Sequence, residues 1–340
     1  MSNQRLAKKN DLMLALRQGY GIELENIEFL LRGFGGDCYK VETANTDNYF
    51  LKVHDPLTNQ STAASSRDFY LPLMHQLYCK QVLQNIPHLI QTLDGSLSLK
   101  IGVNRLVVTD FIEGELVGFV DLPEPVLVRL AELVGVLHNS RSQLQFEHPF
   151  IDQFEIVFEK ELLESFETLS ELPETASPGQ KTVKELILPR KDQITADLEQ
   201  LKALQTYARN THKPKVVCHT DLHGGNLMTD CNGILYILDW ENALIAPPEH
   251  DLFFFAGEKG FWELFWPHYT SQFPAASIDP EILRFYFYRR ALEDVADFIF
   301  RILRGENSPE RDQQEIEWMV DCLEGMPQID GTVAKIRERL

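Results

Sequence analysis

The chain has 340 residues, of which 44% are apolar and 24% charged, the proportions of an ordinary globular protein long enough for two core-bearing lobes. Its net charge of −19 argues against nucleic acid as a partner, which would require a basic face. No uninterrupted apolar run approaches the ~18 residues of a membrane span, and the basic start MSNQRLAKKNDLML lacks the apolar segment of a signal peptide. Five scattered cysteines without CxxC spacing (Cys38, Cys79, Cys218, Cys231, Cys322) read as reduced thiols of a cytoplasmic protein, not as a disulfide framework or a zinc site.

Asp11 to Gln18 reads as a short helix ending at Gly19, with Leu12, Met13 and Leu16 near one face. Strand patterns follow at Ile27 to Leu31, Cys38 to Thr43 and Tyr49 to Val53. The first turn between them holds Gly33, Gly35 and Gly36, with Cys38 where the last glycine of GxGxxG would fall; it is either an ordinary hairpin turn or one that lays backbone N–H groups over phosphates. No GxxxxGK[ST] occurs, which excludes a P-loop. Lys52 lies inside the apolar run YFLKV, so it faces either solvent or a cleft. Thr58 to Tyr78 looks helical from about Ser66, and Asp68 is its one acidic residue. Pro87 to Leu93 and Ser96 to Ile101 read as strands around Asp94-Gly95, and Leu106 to Thr109 as a buried strand entering Asp110-Phe111-Ile112-Glu113-Gly114. Leu122-Pro123-Glu124-Pro125 opens an amphipathic helix, Val126 to His138. Residues 154–170 and 181–208 read as two acidic helices separated at Pro173–Gly179. Leu283 to Leu303 is an aromatic-rich helix carrying Arg289-Arg290 and Glu293-Asp294, and the last ~35 residues form a polar helix pair.

The chemistry concentrates between Val216 and Trp240, VVCHTDLHGGNLMTDCNGILYILDW. Asn232-Gly233 between two β-prone runs is a hairpin signal, because both residues tolerate positive φ. With those two as the turn, Cys231 faces Ile234, and Asn226 stands directly opposite Asp239 with Cβ atoms roughly 5 Å apart. An amide oxygen beside a carboxylate suits a hard cation such as Mg²⁺. Asp221, on the same loop, stays ionised near that cation and is placed to take a proton. An Asp base, an Asn after four intervening residues and a metal-binding Asp after a hairpin form the layout of kinase-type phosphotransfer.

The pattern His-x-Asp, four residues, Asn, then Leu-Asp-Trp resembles the aminoglycoside phosphotransferase and choline kinase-like family. The stretches CHTDLHGGN, LYILDWENALIAPPEHDLFF and FYFYRRALEDVADF carry the resemblance. It is dense over residues 214–256 and 283–304 and thin elsewhere. It implies an α+β, bilobal protein kinase-like fold, with an antiparallel-sheet nucleotide lobe over residues 1–111. A mainly helical catalytic and acceptor lobe over residues 112–340 would follow, with a helical insertion at about 150–210.

The resemblance further implies ATP or GTP as co-substrate with Mg²⁺. Asp221 would be the base, and Asn226 and Asp239 would hold the metal. Lys52 would hold the phosphates with Asp68 as its helix partner, under the Gly33, Gly35 and Gly36 turn. Asp110, Phe111 and Ile112 would form the hinge, through the Asp110 carbonyl and the Ile112 amide. Trp240, Glu241, Glu293 and Asp294 would face the acceptor, and His219 and Asp251 would brace loops. The implied acceptor is an aminocyclitol or aminoglycoside antibiotic such as spectinomycin, which gives an antibiotic-resistance role.

Two readings compete. A housekeeping kinase for choline, homoserine or a sugar would use the same scaffold. A metal-dependent hydrolase would use His219, Asp221 and His223 as zinc ligands, although no second cluster of clear spacing supplies the remaining ligands. Oligomeric state is not legible in the sequence.

Overall fold

Alternating apolar residues build the first sheet. The computed structural model describes residues 3–30, 36–44, 47–54, 63–118, 122–305 and 307–340. Gly33 and Gly35 of the predicted phosphate turn lie outside them. Five antiparallel strands, β1 (Leu24–Leu30), β2 (Asp37–Thr43), β3 (Asn48–His54), β4 (Leu99–Ile101) and β5 (Asn104–Asp110), align in the order β1-β2-β3-β5-β4. Leu51 pairs with Val108 and Val53 with Leu106, and these four share one buried face with Val41 and Ile27. Leu12 and Leu16 cover that face; Leu12 comes from helix α1 (Asn3–Ala15) and Leu16 from the turn that follows. Because side chains alternate along a strand, Lys52, opposite Val107, points to the other face. Gly36 has φ 151°, and a Cβ there would strike the Val53 carbonyl oxygen.

Helix α2 (Ala63–Cys79) follows β3. The predicted strand before Asp94-Gly95 is only an isolated bridge at Leu89. The second predicted strand shortens to β4, because Thr92, Asp94 and Ser96 bond one another in a closed turn. Four residues after β5, β6 (Gly114–Leu116) joins β8 (Leu227–Asp230) and β9 (Leu235–Ile237) in a three-stranded sheet ordered β6-β8-β9. Strand β7 (Val216–Cys218) leads into the catalytic-type loop. Helix α3 (Glu124–Asn139) buries Leu127, Leu130, Leu133, Val134 and Leu137, the predicted stripe. His138 ends it satisfied, with Nδ1 2.8 Å from the Tyr269 hydroxyl.

The chain folds as two units. The first holds 1–151, 216–245 and 262–275; the second holds 152–215, 246–261 and 276–340. The second is helical: α4 (Glu159–Ser170), α5 (Pro178–Ile187), α6 (Lys191–Asn210), the single turn α7 (Glu249–Leu252), and, after α8 (Trp266–Gln272) of the first unit, α9 (Pro280–Arg304), α10 (Pro309–Gly325) and α11 (Ile329–Arg337). The expected helix 181–208 is two helices, because Pro189 lacks the N–H that would carry the ladder through. Helix α9 is the axis of the unit and packs against α4, α5, α6, α7, α10 and α11. Asp279 caps its start and Gly305, at φ 67°, its end. Among the described residues no helix is long and apolar enough to cross a membrane.

A buried ionic group sits beside α9. Arg289 bonds both carboxylate oxygens of Asp152 (3.1 and 3.3 Å) and contacts His250, while the Tyr286 hydroxyl donates to Asp152 at 3.0 Å. Burial and the Arg289 charge push His250 down to about 4, so it is neutral in the fold and protonated in the unfolded chain below about 6.5. A base with a depressed folded pKa loses stability as pH falls through that interval, here on the order of 3 kcal/mol between pH 6.5 and 4. Urea denaturation should therefore give a lower midpoint at pH 4.5 than at pH 7, and the difference should shrink in His250→Gln.

Candidate active site

The loop after β7 is fixed by its histidine. His219, fully buried, donates from Nε2 to the Leu238 carbonyl (2.8 Å), and its Nδ1 accepts the Asp221 amide (3.3 Å). Thr220 stands at φ 74°, a strained place for a β-branched residue that costs about 1–3 kcal/mol. Its hydroxyl holds the Asn242 carbonyl at 2.9 Å. The left-handed residue turns the chain between the buried His219 and the half-buried Asp221.

Asn226 closes the loop. Its amide nitrogen donates to the Asp221 carbonyl (2.9 Å) and carboxylate (3.0 Å). This fixes the amide orientation and leaves the oxygen arm for a cation. The intervening residues form one 3₁₀ turn, Gly224–Asn226, capped by His223 Nδ1, which accepts the Gly225 amide at 3.1 Å. A Cβ on Gly224 would run into the Gly118 carbonyl oxygen, and the Gly118 amide donates to Gly224 at 3.0 Å. Gly224→Ala should therefore force these two segments apart, costing about 1–3 kcal/mol and lowering turnover more than a control Gly233→Asn; thermal melts and initial rates check both.

The hairpin is one residue longer than its turn signal implied. Leu227 pairs with Ile237 and Thr229 with Leu235, and Asp230 exchanges main-chain bonds with Ile234 and Gly233. The Asp230 carboxylate also takes the Asn232 and Ile234 amides (2.9 and 2.8 Å), stabilising a three-residue loop with Gly233 at φ 77°. Asn226 consequently lies opposite Leu238, whose amide it accepts at 2.8 Å. Asp239 comes one residue later, at φ 59°.

Asp239 and Glu241 both reach Lys52. Asp239 Oδ1 lies 3.2 Å from Nζ, and the Glu241 carboxylate is in direct contact with it. Burial works against the lysine's charge, but the two carboxylates outweigh it and raise the Lys52 pKa. Burial likewise pushes the neighbouring Cys38 thiol up to about 11, so it stays protonated. Two carboxylates facing one lysine leave a negative balance. An Asp239 carboxylate and an Asn226 amide oxygen are the donor types a hard divalent cation such as Mg²⁺ takes, and Asn226 lies opposite Leu238, the residue before Asp239.

Several expected placements differ. Asp68 is exposed and does not meet Lys52, whose ion pairs are to Asp239 and Glu241. Trp240 is 1% exposed, with its indole donating to the Ile237 carbonyl at 2.9 Å and its ring edge-on to His219; it braces the loop from the core and offers no acceptor wall. Glu241 faces Lys52 instead of an acceptor.

Of the expected hinge residues, Asp110 ends β5 and Phe111 and Ile112 follow it outside any strand. The Asp110 carboxylate accepts the His88 amide (2.6 Å), the Thr109 hydroxyl reaches its carbonyl (3.0 Å), and the Phe111 amide bonds Asn48 (3.0 Å). The Ile112 amide has no main-chain partner among the described residues. Sequence reasoning missed the clasp beside it. Glu113 accepts from Lys40 (2.9 Å) and Asn48 (3.3 Å), and Lys40 lies over the Phe111 ring; charges 73 residues apart in sequence leave no local signal.

Glu293, Asp294 and Asp251 belong to the second unit. Asp294 pairs with Arg290 one turn earlier (2.8 Å), and burial raises the pKa of half-buried Glu293. Asp251, fully buried, lies inside α7 and is not its cap.

A family model described as the phosphotransferase enzyme family matches residues 26–294. The chain belongs to that family. It is a small-molecule phosphotransferase. Among solved structures, a spectinomycin phosphotransferase in complex with ADP and spectinomycin is 18% identical, with TM-score 0.73, covering 92% of this chain and 93% of that one. An amicoumacin kinase in complex with AMP-PNP and Ca²⁺ is 17% identical, with TM-score 0.59, covering 98% and 94%. A choline kinase from Streptococcus pneumoniae is 16% identical, with TM-score 0.53, covering 94% and 99%. These likenesses establish the α+β, protein kinase-like fold.

Family membership also decides against the zinc hydrolase. Both ring nitrogens of His219 are engaged in the loop's own hydrogen bonds, and His223 Nδ1 caps the 3₁₀ turn. They serve to shape a phosphotransferase loop.

Proposed function

We propose that this phosphotransferase moves the γ-phosphoryl group of ATP or GTP to a hydroxyl of an aminocyclitol or aminoglycoside antibiotic such as spectinomycin, a reaction that confers resistance. The observation that carries the chemistry is the pair of hydrogen bonds from Asn226 to Asp221 (2.9 and 3.0 Å), which ties the base to the metal-side amide. Asp221 takes the acceptor's proton as its oxygen bonds the γ-phosphorus and the bond to the departing nucleoside diphosphate breaks. Asn226 and Asp239 would hold Mg²⁺, which neutralises charge on the phosphates when bound. Lys52 contacts the phosphates. Asp110 and Ile112 present main-chain groups to the nucleobase, with Phe111 between them. Residues 1–111 would act as the nucleotide lobe and 112–340 as the catalytic and acceptor lobe, in the cytoplasm where the nucleotide is made.

The acceptor proposal is supported by the carboxylates of α9 and α4: Glu293, Asp294 and Asp297, with Glu161 bearing electrostatically on Asp297, outnumber the two arginines paired with them, Arg290 on Asp294 (2.8 Å) and Arg301 on Asp297 (3.6 Å). Such a surface suits an amine-bearing molecule. An ADP-release assay with MgATP against aminocyclitols, aminoglycosides, choline and sugar acceptors tests it. Turnover with an amine-bearing antibiotic supports the proposal; turnover with choline or a sugar alone moves the enzyme to metabolism and overturns it.

A further inference from the structure

A phosphate-binding lysine on the third strand of a kinase-like sheet is ordinarily aimed by a carboxylate of the following helix. That arrangement is not found among the described residues. The only carboxylate in α2 is Asp68, and it is exposed. Lys52 is held by a carboxylate from the loop after β9. Its side chain is 12% exposed and that of its partner Glu241 20%.

Glu241 is itself backed by buried polar groups. His54 Nδ1 lies 3.9 Å from Glu241 Oε2, and the Tyr70 hydroxyl lies 3.4 Å from His54 Nε2. His54 ends β3 and is 2% exposed; Tyr70 is in α2 and is 3% exposed. Tyr70 of the helix contacts His54, and His54 lies beside Glu241 at a separation longer than a hydrogen bond, so its influence there is electrostatic. Asp239 also touches Lys52 at 3.2 Å, but a carboxylate that ligates a cation gives up much of its negative field to that cation. A buried ammonium left without a partner is costly. Glu241 is the carboxylate that remains for it.

We infer that Glu241 is the positioning residue for Lys52 in the nucleotide-bound enzyme, filling the role a helix carboxylate has elsewhere, with His54 and Tyr70 bracing it. The inference rests on the phosphotransfer reading above. The test is a double-mutant cycle of wild type, Glu241→Gln, Lys52→Met and the double variant. The readouts are kcat/KM for MgATP, calorimetric Kd for Mg-AMP-PNP, and the Mg²⁺ concentration for half-maximal rate.

Glu241→Gln should lower kcat/KM about 10- to 100-fold with Lys52 present and less than about twofold in the Lys52→Met background, because interacting residues are not additive. Glu241→Asp, which keeps the charge, should recover part of the loss and shows whether a folding defect is responsible. Tyr70→Phe should give a smaller loss in the same direction, also confined to the Lys52 background. Equal losses in both backgrounds would overturn the inference, as would a raised Mg²⁺ requirement independent of Lys52, which would make Glu241 a metal ligand only. Wild type that neither turns over MgATP nor binds Mg-AMP-PNP would instead overturn the phosphotransfer reading itself.

Discussion

Replacing Asp221 with alanine should lower turnover by about 10²–10⁴-fold, the scale of a general-base contribution, while nucleotide affinity changes little. The side chain is half-buried, and its loop partners include the Asn226 amide at 3.0 Å and His223 at 3.4 Å. The second Asn226 bond goes to the Asp221 main-chain carbonyl, so it survives the substitution and keeps the loop in shape. His219, anchored on Leu238, is likewise unaffected. The loss should therefore appear in kcat, with Kd for Mg-AMP-PNP near wild type and an unchanged circular dichroism melt. Full activity in Asp221→Ala would show that some other group receives the proton.

Asp239→Asn should be as severe, for a different reason. At least about 10²–10³-fold should be lost, the scale of removing one preorganised electrostatic group from a reacting centre, and the Mg²⁺ requirement should rise. Asp239 meets Lys52 at 3.2 Å and directly follows Leu238, whose amide donates to the Asn226 carbonyl. Lys52 keeps Glu241 in the variant, so the sheet should fold. A magnesium titration of the rate separates this variant from Asp221→Ala: the metal optimum shifts in the first and not in the second. Wild-type rates at wild-type Mg²⁺ would remove Asp239 from the metal site.

The parts of this site that were legible are the parts dictated by local chemistry. A polar, Gly-rich loop cannot be core, and the spacing of Asp221, Asn226 and Asp239 needs no knowledge of distant residues. Lys52 was legible as an outlier in an apolar strand, because alternation puts Leu51 and Val53 on one face and it on the other. The hairpin register was missed by one residue because the Asp230 side chain, not the Asn-Gly pair, sets the loop length.

Trp240 was misplaced because an aromatic next to a functional Asp can serve as wall or as brace. Only its burial and its bond to Ile237 distinguish the two. The partner of Lys52 was missed because Glu241 stands on the far side of the chain's midpoint, and a contact that distant in sequence has no local signature. His54 and Tyr70 were invisible for the same reason: an isolated histidine at a strand end and a tyrosine in a helix read as ordinary residues until the fold brings His54 beside the Glu241 carboxylate and Tyr70 against His54.

The most direct measurement is the fate of the γ-phosphoryl group. The wild-type chain and Asp221→Ala would be incubated with γ-labelled ATP, Mg²⁺ and each acceptor class, and the label located by separation of the products. The account predicts label on a hydroxyl-bearing small molecule, dependent on Mg²⁺ and on Asp221. Label released only as inorganic phosphate at the same rate with every acceptor, and equally in Asp221→Ala, would contradict it.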